Sequence, residues 1–259
     1  MSNFSNNLSY KGENEPLIKV NNISKTFSAN WGKVQALRNL SFSCKREEFV
    51  AIVGTSGCGK TTLLRIIAGL DYPTEGEVLF NGKRVLGPGP ERAMVFQEPR
   101  LFPWLTVEQN IAFGVQGGRS KQEIKELTAR IMALVGLEDF RQAYPHELSG
   151  GMAQRVAIGR ALAFEPEALL LDEPFSSLDV STRLRLQGEL LGLWQKTGKT
   201  ILLVTHDIDE ALLLSQKIII MSPAPGTVKK ILEIDLPYPR RPDDPIFWEK
   251  KEYIRQNII

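Results

Sequence analysis

Phe49-Val50-Ala51-Ile52-Val53-Gly54-Thr55-Ser56-Gly57-Cys58-Gly59-Lys60-Thr61 starts as an unbroken apolar run and passes through a glycine-rich turn into Lys60-Thr61. An apolar run that stops at a glycine predicts a fully buried strand feeding a loop. Lys60 to Ala68 then predicts a helix, with Leu63, Leu64, Ile66 and Ile67 on its inner faces. The loop between them fits G-x-x-x-x-G-K-[ST] at every fixed position, after a strand and before a helix. Small residues over Gly54, Thr55, Ser56, Gly57, Cys58 and Gly59 let backbone N–H groups wrap phosphates, and the helix N-terminus adds a favourable dipole. Lys60 is placed for the β- and γ-phosphates, the Thr61 hydroxyl for Mg²⁺, and Thr62 completes the set. The stretch predicts a nucleoside triphosphate site.

Working outward, Leu17–Phe27 and Val34–Cys44 carry the alternating apolar positions of half-buried strands. Glu77–Phe80, Asn81-Gly82 and Lys83–Val85 predict a hairpin, because Asn-Gly suits a type I′ turn. Ala93–Phe96 is a short buried strand. From about 98 to 164 the texture turns helical. Ser120-Lys121-Gln122-Glu123 matches a capping box opening a helix to about Val135, and Gly151–Ala163 predicts another. Strand Ala168–Leu171, helix Val180–Lys196, strand Thr200–Val204, helix Asp207–Leu214 and strand Lys217–Met221 follow. Such alternation predicts an α/β fold with a mostly parallel sheet covered on both faces, and the 98–164 stretch as a helical insertion. Residues 1–16 read as a disordered lead-in without a signal peptide. The tail from 237 to 259, with Pro237, Pro239, Pro242 and Pro245, reads as an extended segment leaving the core.

Further segments carry chemistry. Leu169-Leu170-Leu171-Asp172-Glu173 is an apolar strand ending in two carboxylates: Asp172 is placed to hold the Mg²⁺ shell, and Glu173 to polarise an attacking water as general base. His206 follows a strand at its carboxyl end, where ligands of open α/β sheets bind, and can reach a γ-phosphate or orient the water and Glu173. Gln97 follows Ala93–Phe96 at the same edge, where its amide can reach Mg²⁺ or water. Leu148-Ser149-Gly150-Gly151-Met152-Ala153-Gln154-Arg155 opens a helix with small residues, so N–H groups around Ser149, Gly150 and Gly151 make a second anion site. Phe27 or Trp31 can stack on adenine, with Phe27 preferred. Asp179 reads as a contact to a partner subunit or as a helix N-terminal acid. His146 reads as structural or exposed.

Composition excludes several classes. A formal net charge of +2, from 32 basic and 30 acidic residues, offers no basic excess for nucleic acid. Two cysteines, Cys44 and Cys58, make neither a disulfide framework nor a metal site and fit a reducing cytoplasm. The sequence contains no apolar window long enough to span a bilayer.

In order and approximate spacing, the phosphate loop, Gln97, Leu148–Arg155, Asp172/Glu173, Asp179 and His206 resemble the ATP-binding cassette ATPases, from about Leu17 to Ile234. The resemblance implies a RecA-like P-loop core with an antiparallel β edge and an inserted helical subdomain, spanning 17–236. It implies ATP and Mg²⁺ as ligands. It also implies a head-to-tail homodimer in which Ser149, Gly150 and Gly151 of one copy meet ATP held by the other. Pro88–Pro99, Leu101–Thr106, Met152-Ala153 and Pro223–Gly226 are similar to ATPases of bacterial nitrate, taurine and, above all, aliphatic-sulfonate importers. That implies a peripheral protein at the cytoplasmic face of the inner membrane, coupled to separate permease subunits and, through them, to a solute-binding protein. Leu101–Leu105, with Trp104, is the expected permease docking surface. Importers of other small solutes, such as a thiamine pyrimidine precursor or bicarbonate, and soluble cassette ATPases are the alternatives. A nucleotide kinase or GTPase would leave Leu148–Arg155, Gln97 and His206 unexplained.

Overall fold

The computed structural model describes residues 15–29, 32–115, 117–176 and 178–258. Most of the expected lead-in, and Trp31, lie outside the described residues. Along the chain run β1 (Ile18–Ala29), β2 (Gly32–Cys44), β3 (Phe49–Val53), α1 (Lys60–Ala68), β4 (Glu75–Phe80), β5 (Lys83–Arg84) and β6 (Arg92–Val95). Three helices follow: α2 (Val107–Ala112), α3 (Lys121–Leu134) and α4 (Gly150–Leu162). The chain then returns through β7 (Ala168–Asp172), α5 (Val180–Thr197), β8 (Thr200–Thr205), α6 (Ile208–Leu214), β9 (Lys217–Met221), β10 (Val228–Glu233) and α7 (Pro245–Ile258).

The strands form two sheets. One is antiparallel in the order β2-β1-β4-β5, and the other runs β10-β9-β3-β8-β7-β6. In the second sheet β9, β3, β8, β7 and β6 are parallel, and only β10 is antiparallel. Every residue of β3, β7, β8 and β9 is buried, as parallel strands require when both faces are covered. Leu63, Leu64 and Ile67 of α1 pack with Val50, Ile52 and Leu202 between the two sheets. On the opposite face Leu169, Leu171 and Leu203 pack with Val156, Leu186 and Leu190 from α4 and α5.

Local signals account for most boundaries. Asn81 (φ 51°) and Gly82 (φ 71°) supply the positive dihedrals of the expected hairpin turn. Ser120 and Glu123 complete the capping box of α3. Asp179 accepts from the Thr182 amide at the start of α5, and Asp207 caps α6. The tail differs from expectation. After the proline-rich segment, Pro245 opens α7, whose Phe247 and Ile254 are buried with Ala51, Val53, Ile218 and Ile220. Apolar burial of that face fastens it to the sheet, and proline is well suited to a first helical turn. Among the described residues no helix is long and apolar enough to cross a membrane.

Candidate nucleotide site

Strand register gathers the chemistry. Val53 pairs with Thr205, Asp172 with Val204, and Val95 with Leu171, so β3, β8, β7 and β6 end at one edge. The next residues are Gly54, His206, Glu173 and, one further beyond Phe96, Gln97. All four expected segments therefore emerge side by side at the carboxyl end of the sheet, where open α/β folds bind ligands.

The loop after β3 is shaped by its neighbours. Gly59 has φ 98°, and a Cβ there would lie 2.5 Å from Leu37 Cδ2. Gly226 exchanges backbone hydrogen bonds with Ala36 and Arg38 of β2, and a Cβ on it would come within 2.1 Å of the Cys58 carbonyl oxygen. Leu37 and Gly226 thus hold the phosphate loop from outside, a support no local motif announces. Lys60 is buried, and its ammonium donates to the carbonyls of Gly54 (2.9 Å) and Thr55 (3.0 Å) within the loop it closes. Burial pushes the Cys58 thiol pKa up, so this cysteine is a packed, uncharged wall of the loop. Thr61 is exposed and Thr62 half-buried.

The two carboxylates take different partners. Thr61 Oγ1 donates to Asp172 Oδ1 at 2.9 Å, and burial raises the Asp172 pKa while that hydrogen bond opposes the rise. Glu173 adopts φ 44°, a left-handed conformation that costs a non-glycine residue about 1–3 kcal/mol. Its carboxylate meets His206 Nδ1 at 2.9 Å. Ser176 Oγ donates to the Glu173 carbonyl and accepts from Gln97 Nε2 at 3.1 Å, so Gln97 is drawn towards the loop after Glu173.

Ser149 caps α4, accepting from the Met152 amide, and both Ser149 and Gly150 are exposed. Gly151 is buried; a Cβ there would meet Thr182 Cγ2 at 2.6 Å, so this helix start lies against the start of α5. Gln154, buried on the same helix, donates to the carbonyl of Phe96 at 3.5 Å, one residue before Gln97. That link between the two segments is absent from the sequence reading. Asp179 caps α5, and hydrogen bonds from Ser181 and Thr182 hold its carboxyl well below the usual carboxylate range. Phe27, 43% exposed, lies near the end of β1 with Lys25 Nζ 4.9 Å above its ring. His146 is exposed and stacks on Tyr144.

A phosphate loop, an edge-gathered carboxylate pair, a histidine and an insertion ending in a capped glycine-rich helix define an ATP-binding cassette. The family model for ABC transporters matches residues 37–176, and the chain belongs to that family as an ATP-binding ATPase subunit. An uncharacterized ABC transporter ATP-binding protein of Methanocaldococcus jannaschii is 52% identical over 86% of this chain and 84% of its own length. The aliphatic sulfonates import ATP-binding protein of Bacillus cereus is 47% identical over 93% of this chain and 95% of its own. The nitrate import ATP-binding protein of a Synechocystis strain is 47% identical over 85% and 83%. A solved dimeric post-hydrolysis state of the ATP-binding cassette MJ0796, bound to ADP and phosphate, superposes with TM-score 0.74 at 34% identity, covering 85% of this chain and 99% of that one.

Proposed function

We propose that this chain is the energy-coupling ATPase of an importer for a small oxyanion-bearing solute, with aliphatic sulfonates first and nitrate or taurine next. The observation that carries the catalytic part is the division of labour between adjacent carboxylates, with Asp172 on Thr61 and Glu173 on His206, each at 2.9 Å. Thr61 and Asp172 would hold Mg²⁺, with Gln97 approaching from β6; a buried carboxylate whose charge is disfavoured by desolvation suits a cation. When bound, the ion neutralises phosphate charge. Lys60, the loop amides and the N-terminus of α1 supply the remaining positive field, since unpaired charge removed from water costs several kcal/mol. Glu173 takes a proton from the attacking water, and His206 holds Glu173 and the γ-phosphate side in place.

Two copies pair head to tail in this reading, and Ser149, Gly150 and Gly151 of each close on nucleotide in the other, with Asp179 at the seam. Support comes from the exposed, capped start of α4 and from the dimeric state of the similar cassette MJ0796. The stroke is passed to a permease at the cytoplasmic face of the membrane. Trp104, 69% exposed and grouped with Phe102 and Phe113, offers the docking surface. The similarity to sulfonate and nitrate import ATPases supports the solute class.

The test is uptake of labelled sulfonate, taurine and nitrate by vesicles holding the reconstituted complex. ATP-driven sulfonate uptake that Trp104→Ala abolishes, with ATPase activity of the isolated subunit retained, is the expected result. Equal loss of both activities removes the docking role, and uptake of none of the three removes the solute class.

A further inference from the structure

Glu210 lies one turn beyond His206 on α6 and is only 3% exposed. Acids at helix starts gain from the N-terminal dipole while staying solvated, yet this one is turned inward. Gln187 Nε2 of α5 donates to its Oε1 at 3.4 Å, and Thr205, just before His206, walls the same small cavity as Glu210. On the other side of His206, Asp207 Oδ1 accepts from the amides of Asp209 and Glu210. Asp207 Oδ2 lies 3.4 Å from Arg183 Nη1 of α5, and the Asp207 amide returns to Thr205 Oγ1 at 3.0 Å. The turn that carries His206 into α6 is therefore anchored to α5 twice, at Glu210 through Gln187 and at Asp207 through Arg183.

The His206 side chain is 57% exposed and, among the described residues, is held by its bond to Glu173. An exposed ring keeps a fixed geometry only if its backbone is fixed, because rotamer freedom has to be lost elsewhere. A cavity of about 20 Å³, walled by Glu173, His206, Arg183, Thr205, Asp207 and Glu210 among others, puts the buried acid beside the hydrolytic pair. Arg183 also donates to the Leu178 carbonyl, next to Asp179, so the same anchor reaches the loop expected at the dimer seam.

We propose that Glu210 is a positioning residue for hydrolysis: from beneath the β8–α6 turn it ties the start of α6 to Gln187 of α5 and so sets the His206–Glu173 bond. The inference rests on the assignment of Glu173 and His206 to hydrolysis.

Steady-state ATP turnover by the purified full chain tests it, with Glu210→Ala, Glu210→Gln, His206→Ala and the His206→Ala/Glu210→Ala double variant. Glu210→Ala should lower kcat by about ten- to a hundredfold, the scale of a small misplacement at a reacting centre, with KM for ATP within about twofold. Glu210→Gln, which keeps shape and one acceptor, should restore kcat to within about threefold of the parent. In the His206→Ala background, Glu210→Ala should have no further effect. Unchanged kcat in Glu210→Ala, or the same fractional loss with and without His206, overturns the positioning role. So does a joint fall of kcat, nucleotide affinity and Tm that Glu210→Gln fails to restore. Parent-level turnover in His206→Ala instead removes the underlying assignment, so the two failures are told apart.

Discussion

Glu210→Gln should make the protein more stable above neutral pH and change it little in mild acid. Burial, with Asp207 adding to it, moves the Glu210 carboxyl from 4.5 to about 7. Below 4.5 the acid is protonated in both states and its burial carries no charge penalty. Between 4.5 and about 7 the unfolded chain gives up the proton while the folded one keeps it, so stability falls as pH rises. Above that window the loss is complete. At about 1.4 kcal/mol per pKa unit it amounts to about 3 kcal/mol. Glutamine does not titrate, and its amide can donate to Gln187 Oε1, a buried acceptor that has no hydrogen-bond partner among the described residues. Urea unfolding of both proteins at about pH 5 and about pH 8, extrapolated to water, should give a gap larger by about 2–3 kcal/mol at the higher pH. Parallel pH profiles, or a variant less stable than its parent at the higher pH, would refute the reasoning.

Asp172→Asn keeps the Thr61 contact but removes the charge; half-saturating Mg²⁺ for ATPase activity should rise about tenfold or more, and an unchanged Mg²⁺ dependence would count against Asp172 as a metal ligand. Gly226→Ala drives a methyl against the Cys58 carbonyl and should cost about 1–3 kcal/mol together with nucleotide affinity. Gly188→Ala on α5, where a Cβ meets no atom within 4 Å, is the matched control and should stabilise by about 0.5–1 kcal/mol. Phe247→Ala should cost about 3–5 kcal/mol in thermal or urea unfolding, because the buried ring ties α7 to the sheet; an unchanged midpoint would contradict that docking.

What was legible in the sequence was local. The strand, loop and helix at Phe49–Ala68 match β3 and α1 at both boundaries, because glycine dihedrals, apolar burial and a helix start are written in consecutive residues. The gathering of Asp172 at the end of β7, and of Glu173, His206 and Gln97 just beyond β7, β8 and β6, was legible for the same reason. What was missed depends on contacts across the chain. The tail's prolines hid α7, although Phe247 and Ile254 stand two turns apart on one face. The short helix α2 has its own Thr106–Gln109 capping box, yet it follows an aromatic, proline-rich stretch that reads as loop. Glu210 looks like any solvated acid in a helix's first turn until α5 covers it, and Gly226 has meaning only once β2 and the phosphate loop are packed against it. Gln154, inside the segment already singled out, needed the fold to show that it reaches Phe96.

The central claim is that one chain carries half of each ATP site. With Glu173→Gln to suppress hydrolysis, sedimentation in Mg-ATP should show the mass doubling from 29.0 kDa, and adding Ser149→Arg to that variant should return it to the monomer with ATP still bound to the phosphate loop. A Glu173→Gln protein that stays monomeric at saturating ATP, or a dimer indifferent to Ser149→Arg, would contradict the account.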